Sequence, residues 1–292
     1  HAIEAGLDVD SFAPRLSFFF NSHLDFFEEI AKFRASRRIW ANKLKYKYSA
    51  KDPRSLKLKF HTQTAGCSLT AQQPENNIAR TGFQALSAVL GGTQSLHTNS
   101  MDETLSLPTE KAAEIALRTQ QLIAHETGVT NVVDPLGGSW YVESLTDKIE
   151  EEAEEYFKEI DELGGVIPAI EKGYFQREIA KSASEYQKKI DEGSLIHVGV
   201  NKYIKDNEEL EIPTLEIGEE TEKIQKERID NIRNKRDNNL VKKSLNAIRN
   251  ACANNNNIME PIINATKEDV TLGEIIDVMK AEFGEWKETS AF

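Results

Sequence analysis

The stretch KLKFHTQTAGCSLTAQQPENNIARTGFQALSAVL, residues 57–90, decides the fold. Lys57 to Gln63 is a β-rich run, a turn around Gly66 follows, and Ala79, Phe83, Leu86 and Leu90 then step by three or four along one helical face. The same strand, turn and helix pattern recurs on both sides. β-Rich runs at Arg15 to Phe20, Thr93 to Thr98 and Asn131 to Asp134 are spaced at roughly 35 to 45 residues, the size of a βα unit. Helical stripes follow at Phe26, Ile30 and Phe33; at Ala112, Ile115, Thr119 and Leu122; and at Ile149, Ala153, Tyr156 and Ile160. Thr109 after Pro108 is an N-cap signal for the helix of Ala112 and Gly128 its stop signal, while Thr146 is expected to cap the helix of Ile149. A further helix carries Phe175, Ile179, Ala183, Tyr186 and Ile190 on one face, ahead of a strand-like run from Ile196 to Val200.

Strands alternating with helices predict an α/β fold on a parallel sheet, either open and doubly wound or closed into a barrel. Four units cannot close a barrel, because an eight-stranded one needs ~250 residues of βα units and this pattern ends near residue 200. Beyond Tyr203 the composition shifts. Asp206 to Thr214 reads as a linker, Glu219 to Arg236 as a charged helix with a solvated face, and Asn254 to Asn257 as a break. Ile224, Ile232, Leu240, Leu245 and Ile248 form an imperfect helical stripe, and Thr271-Leu-Gly-Glu274 is a capping box ahead of Ile275, Val278, Met279 and Phe283. The expected division is 1–203 for the βα units and 204–292 for linker and appended helices.

The 292 residues carry 36 basic and 48 acidic side chains, a net charge of −12, which argues against non-specific nucleic-acid binding. No run approaches the ~18 apolar residues of a membrane span. Cys67 and Cys252 give no disulfide framework and fit a reducing cytoplasm. The chain opens His1-Ala2-Ile3-Glu4 without an initiator Met, so residue 1 is not expected to be the natural start. GxGxxG, GxxxxGK[ST], HExxH and GxSxG are absent, and the six histidines never pair at metal-ligand spacing, which argues against a protein-held zinc.

What stands out is polarity at strand ends. His61-Thr62-Gln63-Thr64 and Thr93-Gln94-Ser95-Leu96-His97-Thr98-Asn99 put amides, hydroxyls and imidazoles where a buried parallel strand is normally rich in Val and Ile. Buried polar groups cost stability unless satisfied, so either a ligand or a polar network uses them. Arg15 and Ser17, two apart in the first run, are expected on one strand face, a pair suited to phosphate or amide ligands.

Together these segments resemble the catalytic large chain of the methylmalonyl-CoA mutase family, the adenosylcobalamin-dependent acyl-CoA mutases. The resemblance is carried by AGLDVDSFAPRLSFFF (5–20), FHTQTAGCSLTAQQPENNIART (60–81), GGTQSLHTNSMDETLSLPTEKAAEIALRTQ (91–120), VDPLGGSWYVE (133–143) and HVGVNKY (197–203). VTLGEIIDVMKAEFGEW looks like the end of members whose cobalamin-binding domain is a separate chain. The resemblance implies the second half, the last four βα units, of a TIM (β/α)8 barrel whose bore takes the acyl-CoA. An N-terminal barrel half and a cobalamin-binding subunit are then implied partners, since the family's cobalt-ligating DxHxxG motif is absent from these residues, as are its substrate-clamping Tyr and Arg.

By the same resemblance His61 and Gln63 are the catalytic candidates, and Arg15, Ser17, Gln63, Gln94 and Ser95 contact the CoA ester. Gly66, Cys67, Asn99, Glu103 and Thr104 lie near the cofactor. Relatives often have Trp at the position of Cys67, which is expected here to be a buried, inert thiol. The implied reaction is a radical carbon-skeleton rearrangement, (R)-methylmalonyl-CoA to succinyl-CoA, with isobutyryl-, 2-hydroxyisobutyryl- and ethylmalonyl-CoA as alternative substrates. A non-catalytic half-barrel assembly module is the reading of a different class.

Overall fold

Each of the first two strands is apolar at its start and polar at its end on one and the same face. In β1 (Phe18–Ser22) the side chains of Phe18, Phe20 and Ser22 share that face, and in β2 (Phe60–Thr64) those of Phe60, Thr62 and Thr64, because alternate residues of a strand point the same way. A computed structural model of the chain, describing residues 1–206 and 212–287, places β1, β2 and β3 (Ser95–His97) in a parallel three-stranded sheet in that order. Phe18 pairs with Phe60 and His61 with Ser95. A four-residue helix, α1 (Val9–Phe12), leads into the sheet, and the crossovers are α2 (Phe26–Asn42) and α3 (Asn76–Leu90). Asp25 caps α2 by accepting from the Glu28 N–H at 3.3 Å.

The Phe end of the shared face packs on helix side chains. Phe33 of α2 is fully buried, stacked on Phe60 with ring centroids 5.3 Å apart and edge-on to Phe20 at 5.9 Å. Leu58, Ala88, Trp40 and Leu96 complete this core. The polar end meets α3 through hydrogen bonds instead. Ser22 Oγ donates to the Gln84 carbonyl at 2.9 Å and lies 2.9 Å from Ser87 Oγ, while Gln84 Nε2 donates to Ser68 Oγ at 2.5 Å. The buried face of α3 is therefore Asn77, Arg80, Thr81, Gln84, Ala85, Ser87 and Ala88. This corrects the expected face: Phe83 is 60% exposed, because the sheet beneath α3 offers hydroxyls rather than rings.

Three expected features of the repeat are not formed as read from the sequence. The first strand begins at Phe18, since Pro14 fixes φ and seeds a 3-10 turn over Ala13–Arg15, so Arg15 and Ser17 do not pair as strand neighbours. The run Asn131 to Asp134 makes no strand. It starts in a 3-10 turn, Val129–Asn131, and Val132 is extended at φ −134° but Val133 is 96% exposed, lacking a neighbour to pair with. Ile196 to Val200 curls into a turn with Gly199 at φ +86°, where the His197 carbonyl accepts from the Val200 and Asn201 amides.

Helices α4 (Glu110–Glu126), α5 (Trp140–Glu162), α6 (Val166–Glu171) and α7 (Tyr174–Asp191) follow. Thr109 caps α4 as expected and Gly128 lies just beyond its end at φ +73°. Thr146 is not a cap: α5 starts six residues earlier, and the buried Thr146 hydroxyl donates to the Val142 carbonyl at 2.7 Å. Helix α5 lies along α2 through a charge ladder, with Arg34 on Glu143 at 2.5 Å, Arg38 on Asp147 at 2.6 Å and Lys43 on Glu154 at 2.5 Å. Among the described residues no helix is long and apolar enough to cross a membrane.

The chain divides into two compact units, His1–Leu215 and Glu216–Phe292. Of the predicted linker 206–214, residues 207–211 lie outside the described residues. The second unit contains α8 (Glu219–Lys235), α9 (Asn238–Ala253), α10 (Met259–Lys267) and α11 (Leu272–Phe283), with a core of Val241, Ile248, Cys252, Ala265, Val270, Ile275 and Val278. The expected capping box is present: Thr271 Oγ1 accepts from the Glu274 N–H and Glu274 Oε2 accepts from the Thr271 N–H at 2.9 Å.

Arg236, its side chain 7% exposed, grips the same carboxylate in bidentate fashion, with Nη1 2.8 Å from Oε2 and Nη2 2.5 Å from Oε1. That pair, followed by the Thr271 hydrogen bonds, holds the Glu274 carboxyl at about 2, against an ordinary 4.5. The unfolded chain takes up its proton at the higher value, so the stabilisation is complete above 4.5 and is lost as pH falls towards about 2. Glu274→Gln is expected to destabilise this unit by about 1–2 kcal/mol at neutral pH. Urea unfolding across that window checks it, the difference between the two proteins shrinking as pH falls.

Candidate active site

The two faces of the sheet differ. One is packed on α2 and α3, and the other carries Phe19 and Asn21 from β1, His61 and Gln63 from β2, and Ser95 and His97 from β3. Phe19, Asn21, Ser95 and His97 are exposed, and His61 and Gln63 half-buried. Parallel sheets normally have both faces covered, so this polar open face is the feature that asks for a ligand or a partner.

Its side chains are already ordered. His61 Nδ1 lies 2.5 Å from Ser95 Oγ, and the Phe19 ring leans on the imidazole with centroids 4.9 Å apart. Gln63 Nε2 donates to Asn99 Oδ1 at 3.1 Å, linking the middle strand to the loop after β3. The Asn99 backbone N–H in turn donates to Thr64 Oγ1 at 2.9 Å. This leaves Asn99 Nδ2 buried without a hydrogen-bond partner.

Gly66, just past the end of β2, opens the space in front of that amide. A Cβ there would sit 2.8 Å from Asn99 Nδ2 and 3.4 Å from Glu103 Oε1, so a larger residue would have to displace the amide. Glu103 and Thr104 are exposed on the same loop. Cys67 beside Gly66 is exposed, correcting the expectation of a buried thiol, because the 3-10 turn Gly66–Ser68 points Ser68 inward instead. Behind this turn, Arg80 Nη2 donates to the Val198 carbonyl at 2.7 Å, and Tyr186 Oη lies 2.7 Å from His197 Nε2. Burial, and then the Arg80 charge, push the His197 pKa down.

The structure thus gathers His61, Gln63, Ser95, Gly66, Asn99 and Glu103 at and beyond one face. Arg15 and Ser17 lie exposed ahead of β1, at the opposite end of the strands. Gln94 does not join the face: neighbours in a strand point to opposite sides, and its Oε1 accepts from the Phe60 N–H at 2.7 Å while Nε2 donates to the Gly92 carbonyl at 2.9 Å. His97, Asn21 and Phe19 share the face but were not singled out from the sequence. Alternation along each run, from Ser17 to Phe19 and Asn21 and from Ser95 to His97, would have found them.

The sequence profile of the family described as methylmalonyl-CoA mutase matches residues 1–285. The chain belongs to this family. It is 47% identical over 285 residues to the probable mitochondrial methylmalonyl-CoA mutase of Caenorhabditis elegans, an alignment covering 96% of this chain and 38% of that protein. Identity to the methylmalonyl-CoA mutase of Escherichia coli (strain K12) is 46%, over 97% of this chain and 39% of the relative. Identity to the 2-hydroxyisobutanoyl-CoA mutase large subunit of Aquincola tertiaricarbonis is 44%, over 99% of this chain and 52% of the relative. The chain therefore spans between about two fifths and half the length of these mutase-family relatives.

Proposed function

We propose that residues 1–203 are the second half of a (β/α)8 barrel, followed over 204–292 by a linker and helices, and that the chain is part of an adenosylcobalamin-dependent acyl-CoA mutase. The observation that carries this reading is the one-sided sheet, packed behind and polar in front. An N-terminal barrel half would pair with the outer edge of β1 and carry the sheet round, turning the open face into a bore.

A five-residue strand is about 17 Å long, room for an extended pantetheine arm. Arg15 and Ser17 at the entry end would take the CoA portion, by analogy with the R-x-S of the family. Gln63 and Ser95 would hold amide and thioester groups within the bore, with His61 fixed between Ser95 and Phe19. Gln94 enters this reading only as a brace for β2, given its two backbone hydrogen bonds.

The loop beyond the strands fits the cofactor. The unpartnered Asn99 Nδ2 and the space left by Gly66 in front of it and of Glu103 form a donor and an acceptor around a cradle that a side chain would fill. Asn99 and Glu103 would hold the adenosyl group, with Gly66, Cys67 and Thr104 against the corrin. Adenosylcobalamin, when bound, supplies the radical chemistry that moves a carbon group between neighbouring carbons. The chain's own residues orient the acyl group beneath it and keep water from reactive intermediates. The sequence contains no DxHxxG motif, so the cobalt ligand comes from outside these residues, on a cobalamin-binding subunit or domain. Free cysteines, one of them exposed, suit a reducing compartment, and we assign the protein to the cytoplasm.

The test is to combine the chain with an N-terminal barrel half and a cobalamin-binding subunit and to follow conversion of (R)-methylmalonyl-, isobutyryl-, 2-hydroxyisobutyryl- and ethylmalonyl-CoA. Adenosylcobalamin-dependent formation of succinyl-CoA is the expected result. Turnover of another ester alone reassigns the substrate, and no turnover in an assembled complex identifies a non-catalytic module.

A further inference from the structure

The loop that presents Asn99 and Glu103 is held by a carboxylate that the mechanism above does not use. Asp102 is 1% exposed. Its Oδ2 accepts from the Thr109 N–H at 2.9 Å and from Thr109 Oγ1 at 3.1 Å, while Oδ1 is buried with no partner. The Asp102 carbonyl accepts from the Leu105 and Ser106 amides at 2.9 and 3.1 Å, so one residue closes the whole turn from 102 to 109 onto the start of α4. Two further ties fix the near end of the loop: the Asn99 N–H on Thr64, and the Met101 carbonyl accepting from Asn77 Nδ2 at 2.9 Å.

Residues 99, 101 and 102 are thus turned inward and anchored, and this forces Glu103 and Thr104 outward, towards Gly66 in the case of Glu103. The loop holds two buried groups each short of a hydrogen bond, the Asn99 amide donor and the Asp102 acceptor, as in a scaffold built around a ligand rather than around itself. We propose that Asp102 is the positioning residue that sets the spacing of Asn99 and Glu103, and thereby selects the adenosyl group of the cofactor over a cobalamin lacking it. The proposal rests on the adenosylcobalamin reading and deepens it.

Binding to the complete mutase, titrated by visible absorbance with adenosylcobalamin and separately with hydroxocobalamin, tests it without turnover. Asp102→Ala is expected to weaken adenosylcobalamin by about tenfold, the scale of one lost hydrogen bond, and to leave hydroxocobalamin unchanged. Asp102→Asn keeps an acceptor for the Thr109 N–H and restores most of the loss. If Asp102→Ala does not fold, Thr109→Val, which removes the hydroxyl side of the clamp together with the α4 cap and keeps the Thr109 N–H bond, is expected to show the same selective loss more weakly. Equal weakening of both cobalamins, or no weakening of either, overturns the positioning role. A wild-type complex that binds neither cobalamin overturns instead the cofactor reading beneath it.

Discussion

Replacing Phe33 by Ala is expected to cost the His1–Leu215 unit about 3–5 kcal/mol, the range for emptying an aromatic site in a close-packed core. Phe33 is fully buried, stacks on Phe60 and meets Phe20 edge-on, so one deletion removes ring contacts to two strands at once. Collapse into the space is hindered from behind, since Gly91 approaches so closely that a Cβ there would lie 2.5 Å from Phe33 Cδ2. A domain of ordinary stability, about 5–15 kcal/mol, would lose a large share of it. Denaturant unfolding of the intact protein, followed by the fluorescence of Trp40, whose ring is edge-on to Phe18 at 5.0 Å, measures the loss. A change below about 1 kcal/mol, the scale of a surface substitution, would show that the sheet is held by something other than this aromatic cluster.

Much of the fold was legible because the signals are local. The positions of the helices, the Thr109 cap and the Thr271–Glu274 capping box depend on residues a few positions apart, and each is present. Pro14, ahead of the first strand, is a local signal as well, but two other departures depend on neighbours in space. Val132 is extended and its β-branched side chain suits a strand, yet without a strand beside it Asn131 to Asp134 makes no ladder. The apolar stripe of α3 faces away from the sheet because the surface beneath it is hydroxylic, a property set by Ser22, Thr62 and Thr64 of two other elements.

The site divides along the same line. The polar strand ends were visible as residues out of place in buried strands, and the period of two was enough to put His61 with Gln63. The same period separates Gln94 from Ser95, a distinction that treating them as a pair concealed. Asp102 gave no sequence signal, since an Asp among polar loop residues is ordinary until its burial is known.

The open face of the sheet is proposed to be the wall along which the acyl-CoA lies. Ser95 is exposed at the start of β3, on that face, and a Trp there would project from the open face without entering the packed core. Ala79 is exposed on α3, outside the sheet, and a Trp there serves as the control. The measurement is the acyl-CoA dissociation constant of the complete mutase carrying Ser95→Trp, beside Ala79→Trp and wild type, by calorimetric titration, with circular dichroism to confirm that each is folded. Blocking the bore is expected to weaken binding by about 10²-fold or more, beyond 2.7 kcal/mol at 1.4 kcal/mol per factor of ten, while Ala79→Trp binds as wild type. Unchanged binding by a folded Ser95→Trp protein would place the ligand elsewhere and rule out the open face as its wall.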